Sequence, residues 1–191
     1  MGKAPDVRHI ARCACGEVEL EMIGIPIVSV VCHCDDCQTG FLQLETLPGA
    51  TPILDAACGT PCVLYRNDRV TCTKGAELLE GRKIRERSAT SRLVATCCNS
   101  AMLMRLDDIR HWTPVYRDRF VGDALALEMR INTQFKPEGI ALPADMASHP
   151  SIPLRFIARL ISARIAMTLA YSAASSPSPC LRPMSTAGCS G

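Results

Sequence analysis

The sequence predicts a mainly β domain with a C-terminal helical extension. From Glu17 to about Leu106 the segments are short, rich in Val, Ile, Leu and Thr, and interrupted by Gly, Pro or Asn-Asp. Cysteines recur at one- and two-residue intervals inside that stretch, and Ile152 to Tyr171 forms a separate amphipathic segment behind four prolines.

The elements follow in order along the chain. Glu17-Val18-Glu19-Leu20-Glu21-Met22 alternates strictly, as a strand with one face in water does, and should leave the first cysteine pair directly. Asn67-Asp68 separates Val63-Leu64-Tyr65 from Val70-Thr71-Cys72, which predicts a hairpin within Tyr65 to Thr73. Further short strands are expected near Lys83 to Arg87, Ser91 to Thr96 and Met102 to Leu106. After Pro114 the character changes: Asp123 to Arg130 reads as a short helix, and Pro137 to Pro153 as a linker. Ile152 to Tyr171 reads as a basic amphipathic helix, with Arg155, Arg159 and Ser162 on one side and Leu154, Ile157, Leu160, Ile161 and Ile165 filling much of the rest. Packing on the domain or on a second subunit is preferred for it over a membrane surface. The expected division is a β domain over 1–120, a helical extension with its Pro-rich linker over 121–171, and a disordered Ser-, Pro- and Ala-rich tail over 172–191. Cys180 and Cys189 would be free thiols in that tail.

Composition narrows the chemistry. With 21 basic and 19 acidic residues in 191, the net charge of +2 offers no large field for nucleic acid, and no nucleic-acid partner is expected. Twelve cysteines call for either disulfides or metal ligation. The N-terminal sequence has no apolar stretch of signal-peptide length, so a cytoplasmic location and metal ligation are expected. No run of eighteen apolar residues occurs, since Arg155, Arg159 and Arg164 interrupt the nearest candidate, and no transmembrane segment is expected.

Zinc takes about four soft or borderline ligands, and two cysteines one or two residues apart can turn both sulfurs onto one ion. Cys13-Ala14-Cys15-Gly16 is one such half-site, with Gly16 free to adopt the turn that leads away from the metal. Cys97-Cys98 is the candidate partner pair, although adjacent cysteines rarely both bind one ion comfortably. Cys32-His33-Cys34-Asp35-Asp36-Cys37 offers three thiolates in six residues. Three protein ligands leave a fourth position for water or substrate, as in a catalytic zinc site, whereas a purely structural staple is the competing reading. His33, flanked by two ligands, should point away into a supporting or surface role. Asp35 and Asp36 either balance charge or sit in a solvated turn. Cys58, Cys62 and Cys72 lack ligand spacing and read as buried structural cysteines.

Cys-x-Cys-Gly-x-Val, then Cys-His-Cys-x-x-Cys, then a late cysteine knuckle resembles the glutathione-dependent formaldehyde-activating enzyme family, which includes centromere-protein-V-like proteins. The resemblance covers roughly Arg12 to Leu106, and its wording is that of a bacterial branch. It implies a zinc-stabilised Mss4-like folded β-sheet domain and one or two Zn2+ ions. It also implies a structural site holding Cys13 and Cys15, and a reactive site holding Cys32, Cys34 and Cys37, which stand as the catalytic residues. The late motif departs from the family's Cys-x-x-Cys: with Cys97 as the first ligand, Ser100 replaces the second, and with Cys98 as the second, Ala95 replaces the first. The implied reaction joins a thiol such as glutathione to an aldehyde such as formaldehyde, or cleaves the adduct, as a carbon–sulfur lyase does. The alternative is a non-catalytic zinc module for protein interaction or scaffolding. Either way, homo-oligomerisation through the C-terminal helix is the expected association. No basic cluster beside the central motif is visible for the carboxylates of such a thiol; Arg12, Lys74 and Arg82 are the nearest candidates, and solvated surface is the competing role for each.

Overall fold

The computed structural model describes residues 7–123 and 125–171; the expected tail over 172–191, with Cys180 and Cys189, lies outside the described residues. The architecture is mainly β, with one internal and one C-terminal helix. Among the described residues eleven strands are formed: β1 (Arg8–Arg12), β2 (Glu19–Ile23), β3 (Val28–Cys32), β4 (Thr60–Arg66), β5 (Val70–Lys74), β6 (Leu79–Arg82), β7 (Thr90–Ala95), β8 (Ser100–Leu106), β9 (Trp112–Tyr116), β10 (Met129–Ile131) and β11 (Ala147–Ser148). Two helices accompany them, α1 (Asp35–Leu44) and α2 (Leu154–Tyr171).

A three-stranded sheet runs β1-β2-β5, and an eight-stranded sheet runs β11-β10-β3-β4-β9-β8-β7-β6. The large sheet is antiparallel apart from β10 on β3 and β11 on β10, which are parallel. Alternate residues of its strands face two different cores. From β4, Val63 and Tyr65 join Leu20, Met22 and Val70 of the small sheet, whereas Cys62 and Leu64 join Val28, Met129, Ile131 and Phe156 of α2. From β7 and β8, Val94, Ala101 and Met104 turn instead to Phe41 and Leu44 of α1. Burial on both faces is why these strands read as continuous apolar runs, and each fully buried large side chain contributes about 1.5–3 kcal/mol.

Helix α1 was not foreseen. Cys34 precedes it in extended conformation, Asp35 and Asp36 in its first turn complement the helix dipole, and Cys37, Phe41 and Leu44 at helical spacing face the sheet. The predicted hairpin at Asn67-Asp68 is not one. Those residues form a single helical turn at which the chain crosses from β4 in the large sheet to β5 in the small one, so the flanking strands never pair. The strand expected at Lys83 to Arg87 ends earlier, at Arg82, and the helix expected over Asp123 to Arg130 is replaced by β10, which is drawn into the sheet by pairing with β3. The expected strands at Glu17–Met22, Ser91–Thr96 and Met102–Leu106 appear as β2, β7 and β8, and the C-terminal helix as α2. Residues 129–131, beyond the anticipated division at 120, are thus part of the sheet next to Cys32. No helix among the described residues is long and apolar enough to cross a membrane.

Candidate metal centres

Cys13 follows β1, and Gly16, in the left-handed region at φ 78°, bends the chain back so that its N–H meets the Cys13 carbonyl at 3.0 Å. The Val18 N–H donates to the Cys13 sulfur at 3.2 Å. Across the interface between the sheets, the β7–β8 turn carries Cys97 and Cys98, with Asn99 also left-handed and held by its side-chain N–H on the Pro48 carbonyl at 2.9 Å. The four sulfurs all lie within 4.8 Å of one another, with Cys13–Cys15 at 3.5 Å, Cys15–Cys97 at 3.3 Å and Cys13–Cys97 and Cys97–Cys98 at 3.9 Å. Zn–S bonds of about 2.3 Å in a tetrahedron place sulfurs about 3.8 Å apart. The donor set therefore fits one metal ion, and the sulfurs of both adjacent cysteines lie within the group.

The second set forms where β3 ends and α1 begins. Cys32 and Cys34 sulfurs are 3.4 Å apart, and Cys37 completes a group whose sulfurs also lie within 4.8 Å of one another. The turn from strand to helix brings them together: the Cys37 N–H reaches the Cys34 carbonyl at 3.0 Å. Cys32 and Cys37 are buried and Cys34 is half-buried. Hydrogen bonds from Cys34 and Cys37 hold the Cys32 thiol down to about 3, while the same contacts raise Cys37. Even without metal one thiolate is therefore favoured, shared among three sulfurs. The Asn132 amide, in the turn after β10, donates to the Cys32 sulfur at 3.5 Å. Gln38 of α1 donates to the His33 carbonyl at 2.6 Å and the Phe135 carbonyl at 2.8 Å, tying the helix to that turn.

His33 is fully buried, so the surface role is excluded; burial lowers its pKa. Among the described cysteines outside the two groups, Cys62 is buried, where burial pushes its thiol well up, and Cys58 and Cys72 are half-buried. Free thiols, not disulfides, are found throughout the described residues.

A cleft of about 540 Å³ opens beside the second set, with Cys34 and Cys37 in its lining. Met104, Leu106, Trp112 and Pro114 give it an apolar wall, and Arg85, Arg87, Arg92 and Arg110 a cationic one. This corrects the expectation that no basic cluster lies near the central motif. Arg12, Lys74 and Arg82 are instead paired with Glu19, Glu17 and Glu80 away from the cleft, at 2.8, 3.3 and 3.3 Å.

The sequence signature of the glutathione-dependent formaldehyde-activating enzyme family matches residues 8–45, the stretch that carries both N-terminal cysteine motifs. Over those residues the chain is similar to this family. Among solved structures it is similar to the crystal structure of a Rhodobacter sphaeroides protein determined as a structural-genomics target, with 14% identity, a TM-score of 0.42, and coverage of 73% of this chain and 98% of that one. No curated protein matches it.

Against the formaldehyde-activating family's late Cys-x-x-Cys, the local geometry accounts for the irregular Cys97-Cys98-Asn99-Ser100. Ser100 Oγ lies 3.1 Å from the Cys98 sulfur and accepts the Ala14 N–H at 3.0 Å. Ser100 thus stands at the rim of the group, and Cys98 supplies the fourth sulfur. Despite the opposing effect of burial, its hydrogen bonds to Ser100 and Cys15 hold the Cys98 thiol down to about 6. Asn132 and the four cleft arginines are the residues that sequence reasoning missed. The Arg-x-Arg pair at Arg85 and Arg87 was the available signal, whereas nothing in the sequence marked Asn132.

Proposed function

We propose that this chain is a zinc-dependent enzyme of the carbon–sulfur lyase type, joining a thiol to an aldehyde or cleaving the adduct, with glutathione and formaldehyde as the family's example. The observation that carries this reading is the three-sulfur set at a cleft wall: three ligands, one of them half-buried at the opening. In this assignment Cys32, Cys34 and Cys37 hold the reactive metal, and Cys13, Cys15, Cys97 and Cys98 hold a structural one. A zinc ion bound there would lower the pKa of a substrate thiol and polarise an aldehyde oxygen. The chain's own residues position that chemistry. Asn132 donates to Cys32 and fixes its sulfur, and Gln38 locks the first turns of α1, so that Cys37 keeps its place. The apolar wall of Met104, Leu106 and Trp112 limits water around the reacting atoms. In the joining direction a sulfur–carbon bond forms, and the thiol proton ends on the aldehyde oxygen.

A non-catalytic module is the second reading, favoured by one observation. Leu154, Ile157, Ile161, Ile165 and Leu169 form an exposed apolar stripe along α2, from 41% to 83% exposed.

Zinc quantification with X-ray absorption on the wild type and Cys34→Ser tests the proposal. Two zinc ions per chain are expected, one with three sulfurs and a light-atom ligand, falling to one in the variant with loss of adduct formation. A variant that keeps its full zinc content and stability, or a wild type with one all-sulfur site, overturns it.

A further inference from the structure

Arg92 in β7 is only 2% exposed, yet it lines the cleft beside Cys34 and Cys37. Its Nη2 donates to the Asp36 carbonyl in the first turn of α1, and its Nε and Nη1 have no partner. A buried guanidinium without a counter-charge is costly, and a native chain retains one where something else supplies the charge. The sequence makes room for it: α1 carries Gly40 opposite, where a Cβ would collide with the Arg92 guanidinium. Arg85 and Arg87, on the loop between β6 and β7, reach the same cleft with no carboxylate partner among the described residues, while the fourth cation, Arg110, is already paired with Asp108 at 2.7 Å. Arg8, Arg12, Arg66, Arg82 and Arg105 of the two sheets are, by contrast, each matched with an acid.

We propose that the cleft is a carboxylate-binding subsite in which Arg92, assisted by Arg85 and Arg87, seats the anionic end of a small thiol or thiol adduct whose sulfur lies at Cys32, Cys34 and Cys37. Arginine suits the task because its planar fork meets a carboxylate through two parallel hydrogen bonds. The apolar residues Leu106 and Trp112 receive the carbon skeleton between the two ends. The sulfur end rests on the function proposed above; the anionic end does not. These arginines therefore act as specificity and positioning residues, selecting charged thiols over neutral ones.

Calorimetric titration of the zinc-loaded full chain with 3-mercaptopropionate, 2-mercaptoethanol and thiol-free glutarate tests this. The anionic thiol should bind about tenfold more tightly than the neutral one, glutarate should compete with it, and added salt should erode the preference. Arg85→Gln/Arg87→Gln, on an exposed loop, should weaken only the anionic ligands by about threefold at unchanged zinc content. Arg92→Gln should abolish the preference and Arg92→Lys restore part of it. Equal binding of both thiols, no binding of either, or a preference unchanged in the arginine variants overturns the subsite. Persistence of the preference in a protein that forms no adduct supports the subsite and overturns the enzyme reading alone.

Discussion

The two cysteine groups use the same ligand chemistry in opposite settings. The four-sulfur group lies between two turns, one leaving the small sheet and one joining β7 to β8, and it offers all its sulfurs to a single point. The three-sulfur group lies at a strand-to-helix junction, two of its members buried, with an arginine-lined cleft beside it. A closed set that bridges two sheets is suited to holding them together; an open set against a cleft is suited to meeting a ligand. Sulfur number and surroundings, rather than cysteine spacing, distinguish the two groups.

Breaking the closed group should have the largest effect. Cys13→Ser removes the most buried of its sulfurs and should cost about 4 kcal/mol or more, the range associated with losing a structural metal, with one zinc ion lost; a urea melt together with zinc analysis checks this. If the loss is no greater than for Cys34→Ser, the division of labour between the groups fails. A subtler change sharpens the cleft side. Gly40→Ala should displace the Arg92 guanidinium without touching a cysteine, reducing the preference for 3-mercaptopropionate about fivefold while zinc content stays constant, as calorimetry would read.

The smallest expected effect concerns α2, which borders the cleft side through His111. The His111 ring nitrogen Nε2 lies 2.7 Å from the Leu160 carbonyl, and burial holds its pKa below the ordinary histidine value. Because the folded pKa is the lower one, the unfolded chain takes up the proton first. Stability is complete above about pH 6.5 and is lost as pH falls through the folded value. Urea midpoints should therefore decline gently on acidification from neutral pH, and His111→Gln should flatten part of that decline.

Much of this organisation is legible in the sequence. Ligands two or three residues apart must be neighbours whatever the fold, so Cys13 with Cys15, and Cys32 with Cys34 and Cys37, are visible at once. Strand β2 shows because one of its faces is wet, and α2 because its length and periodicity are large. The failures share a cause, which is tertiary pairing overriding local preference. Asn67-Asp68 looks like a hairpin turn, but β4 finds its partners in β3 and β9 while β5 finds β2. Asp123 to Arg130 has helical composition, but pairing with β3 makes its end a strand. The cleft arginines come from a loop, a strand and a turn between residues 85 and 110, far along the chain from Cys34, and only the folded sheet brings them beside it.

Strand β10 also fixes an order of events during synthesis. The sulfurs of the four-cysteine group are all available once the chain has emerged past Cys98, whereas Cys32, already paired with Thr60 of β4, gains its β10 neighbour and the Asn132 contact only after residue 132 has emerged, a hundred positions beyond Cys32 itself. A ribosome-bound chain would thus carry the full four-sulfur set beside a three-sulfur set that still lacks its last neighbours, for the time it takes to add about thirty residues, on the order of seconds. Metal delivery to either group would compete with oxidation while its thiols wait, and the open group waits longer for its last neighbour.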